Sequence, residues 1–302
     1  MTSSLAATAS RLLQRLTSRV LPSDTSDPSR RFQFMSDLHL ELCQQYTTFD
    51  FPVTAPYLIL GGDIGRLIDH DGLLAFLQRQ TARYERVFFI LGNHEFHGMS
   101  YEEAVHKASQ LENEPSLEGK ATLLHQGRYD LDLPSKPNIT ILGCVLWSQI
   151  AAESADKIGM MVSDFKEIRG WSTTAHSAAH ASDRSWLQSK LRRIREEDAG
   201  QAQPRDVIVV THHAPLVKGT ASPQHEGNVV SSAFATDLCV GEEWSSVKHW
   251  VFGHTHWTTE LESRNGVRVV SNQRGYVFPR DKRPVDQRPV KHTFDPSRYI
   301  LC

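Results

Sequence analysis

Short apolar runs that stop at polar or glycine-rich tips recur along this chain, and their length decides what they are. Arg31–Ser36, Leu58–Gly62, Arg86–Leu91, Val207–Val210 and His249–Phe252 are too short for ordinary helices and read as strands. The Leu58–Gly62 and Val207–Val210 runs have no polar alternation, as expected for strands buried on both faces. Between them, Leu67–Tyr84 has helical periodicity, and Ser100 with Glu103 makes a capping box that opens a helix to about Leu111. Strand–helix–strand alternation of this kind predicts an α/β fold with parallel crossovers.

Shorter strands follow at Thr122–His125, Tyr129–Leu133 and Ile139–Trp147. The pattern then breaks over Ala151–Gly170, which reads as a long irregular segment. Trp186, Leu187, Leu191 and Ile194 line one face of a helix over Thr173–Glu197. Ala214–Val247 is loop-rich with one short helix, and Asn265-Gly266 joins two strands in a hairpin.

Composition narrows the partners. The chain has 302 residues, within reach of one large α/β domain. Its 33 Lys and Arg stand against 35 Asp and Glu, so there is no basic footprint and no nucleic-acid partner is expected. Cys43, Cys144, Cys239 and Cys302 stand far apart, which suits free thiols in a reducing, cytoplasmic setting. No apolar run approaches the roughly 20 residues of a membrane span. Residues 1–30 are rich in Ser, Thr, Ala and Arg, with Arg11, Arg15 and Arg19 on one helical face and Leu12, Leu13, Leu16 and Val20 on another. That composition fits either a helical extension of a cytosolic enzyme or a mitochondrial presequence. The expected plan is an extension over 1–30 and one domain over 31–302.

The histidines are informative by position. Asp37-Leu38-His39, Gly61-Gly62-Asp63, Gly92-Asn93-His94-Glu95, His212-His213 and Gly253-His254-Thr255-His256 each follow a predicted strand, where open α/β sheets bind their ligands. Any one of these residues alone reads as a cap or a surface polar group. The glycines let the chain turn sharply and leave room beside the carboxylate. Together Asp37, His39, Asp63, Asn93, His212, His254 and His256 mix carboxylate, amide and imidazole donors, a set suited to Mn, Fe, Zn or Co. Seven donors exceed one tetrahedral ion and fit two divalent ions about 3.5–4 Å apart, bridged by a carboxylate. In Asp37-x-His39 and His254-x-His256, residues two apart project to one side of an extended chain.

These five stretches, in this order between residue 32 and about residue 276, resemble the calcineurin-like metallophosphoesterase superfamily. The resemblance implies a four-layer αββα sandwich, two mixed β-sheets flanked by helices, with metals at the sheet ends. It implies that Asp37, His39 and His256 hold one metal and Asn93, His212 and His254 the other, with Asp63 bridging. His94 is then a non-ligand that contacts the phosphate or protonates the leaving oxygen, and catalysis rests on His94, Asp63 and Asn93. The implied activity is hydrolysis of a phosphate mono- or diester by in-line attack of a metal-bridging hydroxide. The lack of a basic groove or an added domain favours a small-molecule ester. Attack on a thioester or another activated acyl group needs only a different pocket. A scaffold that had lost catalysis would have replaced ligands, whereas each position here holds a competent residue.

One departure concerns Arg66. Many relatives carry, three residues after the bridging aspartate, a second Asp that orients the catalytic histidine, and Arg66 stands there in this chain. The partner of His94 is therefore open, and Arg66 itself reads either as a phosphate clamp or as a solvated arginine. His97 either lines the substrate cleft or lies on a loop surface. Asp164, in a Met160–Gly170 stretch resembling one that some relatives carry between the sheets, either touches substrate or makes a cap or salt bridge. His213 is expected to point away from the site, because His212 takes the inward direction. His125, His176 and His180 have no ligating spacing. Asn272 or Arg274, in the closing segment Ser271–Tyr276, either reaches the cleft or builds a turn.

Overall fold

A computed structural model describes residues 27–133, 137–278 and 294–302. Residues 1–26 of the expected extension, and the targeting reading attached to them, lie outside the described residues. The strands are β1 (Arg31–Met35), β2 (Tyr57–Gly61), β3 (Arg86–Ile90), β4 (Ala121–Leu123), β5 (Gly127–Leu131), β6 (Ile139–Cys144), β7 (Asp206–Thr211), β8 (Val247–Phe252), β9 (Glu260–Glu262), β10 (Arg268–Ser271) and β11 (Tyr299–Leu301). The α-helices are α1 (His70–Thr81), α2 (Tyr101–Glu112), α3 (Ala155–Met161), α4 (Asp164–Glu167) and α5 (Thr173–Glu197).

Two mixed sheets result. One has the order β11-β1-β2-β3-β4, parallel except for β11 at its edge. The other has the order β5-β6-β7-β8-β10-β9, with a parallel centre and an antiparallel strand at each edge. Strand alternation sends residues to opposite faces. Phe32, Ile59, Phe88, Ile141, Val210 and Val251 fill the seam between the sheets. The opposite faces are covered by helices. Leu58, Leu60, Val87 and Phe89 pack with Leu73, Phe76 and Leu77 of α1 and Ala104, Ala108 and Leu111 of α2. Leu142, Val207, Val209 and Trp250 pack with Leu187, Leu191 and Ile194 of α5. The fold is thus the expected αββα sandwich. No helix among the described residues is long and apolar enough to cross a membrane, and all four thiols are free.

Two expectations change, and one strand enters that no expectation covered. Ala151–Gly170 is not irregular: it holds α3 and α4, whose Ile158 packs with Ile150 and Ala233 in a small separate cluster. Helices this short show too few turns for a periodic stripe. β11 has no sequence signal, being only three residues long, and it exists by pairing Leu301 with Arg31 and Ile300 with Phe32. Arg30, placed in the extension by the sequence, is buried and bonded to Asp206 of β7 at 2.8 Å.

Candidate metal centre

The strand tips of both sheets converge at one end of the seam. Past β1 the backbone turns left-handed at Asp37 and His39, past β2 at Asp63, and past β8 at His254 and His256, all with φ between 47° and 72°. The pairs Asp37-x-His39 and His254-x-His256 therefore do not converge by strand alternation, as the sequence suggested. They converge because both members of each pair sit in a kink that turns the side chain back toward the seam.

Two donor sets meet there. Asp37, His39, Asp63 and His256 bring one potential ligand atom each to within 4.8 Å of one another, and so do Asp63, His212 and His254. Asp63 belongs to both, with Oδ2 3.7 Å from His39 Nε2 and Oδ1 3.3 Å from His212 Nε2. Asn93 Oδ1 lies 3.0 Å from His212 Nε2, and the Nε2 atoms of His39 and His256 are 2.9 Å apart. Asp37, His39, Asp63 and His212 are almost wholly buried. Despite burial, His212 and His94 hold the Asp63 carboxyl well below the usual carboxylate range. Burial opposes a charge on His212, but Asp63 outweighs it and pushes the imidazole up to about 10. Buried carboxylates packed among imidazoles are what a divalent cation stabilises, and the donor chemistry fits one.

The surroundings hold these donors still. Glu95 is fully buried. One of its oxygens accepts from the N–H groups of Gly92 and Asp63, and the other from those of Ile64 and Gly65. One side chain thereby locks the Asp63 turn to the Asn93 turn. Gly92 makes that approach possible, since a Cβ there would lie 2.2 Å from Asp63 Oδ1. His212 Nδ1 bonds the Gly61 carbonyl at 3.0 Å, leaving Nε2 to face Asp63.

Residues 30–258 match the calcineurin-like phosphoesterase family. The chain belongs to that family. It is also similar to the uncharacterized protein L509 of Acanthamoeba polyphaga mimivirus, 28% identical over an alignment of 290 residues that covers 90% of this chain and 96% of that protein. Among solved structures it resembles the phosphopantetheinyl hydrolase PptH of Mycobacterium tuberculosis, with a TM-score of 0.57 and 16% identity, covering 87% of this chain and 95% of that one. A dimetal phosphatase from Danio rerio aligns with a TM-score of 0.44 and 13% identity, covering 81% of this chain and 87% of that one.

In this chain the open partner of His94 is Glu41, to which the sequence alone assigned no role. Glu41 Oε1 lies 2.9 Å from His94 Nδ1 and 3.2 Å from His39 Nδ1. Although burial works against it, these two imidazoles hold the Glu41 carboxyl down at about 2. The signal was present in Asp37-x-His39-x-Glu41, but only the folded turn aims Glu41 at a histidine fifty-odd residues away. Arg66 is corrected as a clamp: its Nε and Nη2 both bind Asp69 at 3.1 Å, and it does not line the cleft. His97 is buried and is not among the described lining residues of the cleft; its Nε2 lies 3.1 Å from Asp164 and its ring packs against that of His94. Asp164 does line the cleft, but its Oδ1 also accepts from Asn93 Nδ2 at 2.8 Å, which turns the Asn93 oxygen toward His212. Asn272 and Arg274 bond backbone carbonyls of Phe34 and Leu38, whereas Tyr276 reaches the cleft with its hydroxyl 3.2 Å from His94 Nε2. His213 is buried against Trp147 and His254 without a hydrogen bond, and burial drives its pKa well down.

Two substitutions test this frame. Glu95→Gln replaces an accepting oxygen by an NH2 group, so backbone N–H groups lose their partner. The expected loss is about 1–3 kcal/mol of stability in chemical denaturation, and an unchanged midpoint would show that these turns do not depend on the carboxylate. Gly92→Ala is expected to displace Asp63 and empty the protein of metal while the far-UV circular dichroism stays native. Normal metal content in that variant would refute the close-approach argument.

Proposed function

We propose that this chain is a dinuclear metal-dependent hydrolase of small-molecule phosphate mono- or diesters. The observation that carries the reading is the division of Asp63, whose two oxygens face imidazoles of different donor sets. Asp37, His39 and His256 would hold one divalent ion, and Asn93, His212 and His254 the other, with Asp63 serving both. Mn, Fe, Zn and Co all suit such donors. When bound, paired ions of this kind activate water near neutral pH and offset negative charge on a phosphoryl group.

The chain's own residues supply orientation and a proton. The His94 backbone N–H is tied to Asp63 Oδ1 at 2.9 Å, and its Nε2 stands 4.0 Å from Oδ2 at the cleft. Nδ1 donates to Glu41, so the proton available for transfer sits on Nε2, where a leaving oxygen would take it. Burial opposes a charge on this ring, but Asp63 and Glu41 raise its pKa to about 9. Glu41 thus performs the orienting task that the position of Arg66 leaves unfilled. Asn93, held by Asp164, presents its carbonyl to the site. The cleft measures about 350 Å³, and no Lys or Arg is among its described lining residues, which supports a small ester over a nucleic-acid strand. A scaffold relative would have gaps among the seven donors, and all seven positions here are filled.

Purified protein is expected to carry about two equivalents of transition metal and to hydrolyse an aryl phosphate until EDTA removes them. Asp63→Asn should abolish turnover and most metal binding together; full activity in that variant would end the bridging assignment. His94→Ala is expected to retain its metal and to slow alkyl phosphates about 10²–10⁴-fold, with a smaller effect on p-nitrophenyl phosphate, whose leaving group needs no proton. Equal slowing of both substrates would remove the proton-donor role, and loss of metal would make His94 a ligand.

A further inference from the structure

Beside the polar cleft lies a second cavity of about 310 Å³, and Val230, Phe234 and Thr255 line both. On the cleft side the Phe234 ring stacks on the His254 imidazole, with centroids 4.6 Å apart at 24°. On the other, Val217, Ala221, Val230, Phe234 and Ala235 make most of the lining surface apolar, with His225, Glu226, Asn228, Ser231 and Thr255 as its polar members. No Lys or Arg is among its described lining residues. Its one carboxylate, Glu226, accepts from the Gly219 N–H at 2.7 Å, which ties it to the loop and makes the cavity unfavourable for a second anion.

These walls are built, not left over. Val230, Phe234 and Ala233 pack with Ile150, Ile158, Val162 and Phe165 in the small cluster under α3 and α4. The same segments thereby shape the cleft mouth, where Met161 and Val162 extend the apolar border. A ligand whose phosphate lies among the cleft histidines has this cavity as the adjacent space for its esterified group. The cavity's volume lies within the range, about 300–1,000 Å³, of small-molecule sites.

Building on the phosphoesterase reading, we propose that this second cavity receives the alcohol part of the substrate, and that this part is an uncharged, largely apolar chain. A nucleoside is the main rival occupant. Asn228, Ser231 and Thr255 offer it hydrogen-bond partners, but a base also needs a stacking face on each side. Phe234 and the His225 imidazole are the aromatic rings among the described lining residues, and most of the lining surface is apolar, which suits an alkyl chain better.

The test is calorimetry on the metal-loaded full chain with methyl-, butyl- and hexylphosphonate and with adenosine monophosphate. Affinity is expected to rise along the alkyl series by about fourfold per buried methylene until the cavity is full, with adenosine monophosphate well below hexylphosphonate. Ala221→Trp, which fills the cavity from a position that does not line the cleft, is expected to erase the chain-length dependence while methylphosphonate binding and metal content stay unchanged. Val217→Asp should do the same by placing a charge in the lining, and it serves if the tryptophan variant does not fold. A flat alkyl series, no phosphonate binding, tighter binding of adenosine monophosphate, or chain-length dependence that survives both variants would each overturn the inference. Aryl phosphate turnover, measured in parallel, separates this inference from the reading beneath it. Chain-length-dependent binding without turnover would sink the hydrolase and keep the cavity, and turnover with a flat series would do the reverse.

Discussion

A backbone in the left-handed region is disfavoured for any residue with a Cβ, by about 1–3 kcal/mol where nothing local relieves it. Asp37, His39, Asp63, His254 and His256 all adopt it, at the ends of three strands drawn from both sheets. The chain tolerates this because the strands beneath the kinks are locked into ladders and buried on both faces. Relaxing any one kink would swing a carboxylate or an imidazole out of a cluster only a few ångströms across. The strain and the polar cluster are therefore one feature seen at two scales.

Carboxylates outside the donor sets do much of the holding. Glu95 gathers four backbone N–H groups and joins the tips of β2 and β3. Glu41 stands between His39 and His94, and Asp164 between Asn93 and His97. Each accepts from groups that would otherwise move and is sheltered from water. Against burial, the imidazole partners of Glu41 and Asp164 hold their carboxyls low, and these two make the stronger charge-assisted bonds. A larger hollow of about 570 Å³ elsewhere on the surface shows the contrast. Its Arg128, Asp130, Glu197 and Arg205 pair with one another, so their charges are already answered.

The cleft joins two kinds of surface. Its floor, formed by strand tips, is polar and rigid, as suits charge developing on a phosphoryl group. Its outer wall comes from α3, α4 and the turn around Phe234, which rest on a small apolar cluster of their own rather than on the main core. Family chemistry belongs to the floor. Selectivity for the rest of the ester would belong to the wall, where sequence can change without disturbing the sheets.

Much of the architecture is legible in the residues alone. Apolar runs mark β1, β2, β3, β7 and β8 to within a residue or two, the capping box of Ser100 and Glu103 marks α2, and one apolar face marks the C-terminal half of α5. These are short-range facts, because a strand or a cap is decided by neighbours along the chain. The gathering of Asp37, His39, Asp63, Asn93, His212, His254 and His256 was legible too, since each follows a strand and parallel sheets send such tips to one end. What only the tertiary structure decided is where side chains with no local instruction end up. Nothing near Glu41 says that it meets His94, and no pattern announces β11 or the cavity behind Phe234. Those outcomes depend on segments far apart in sequence arriving at the same place, and contact across such separations exists only once the sheets have closed on each other.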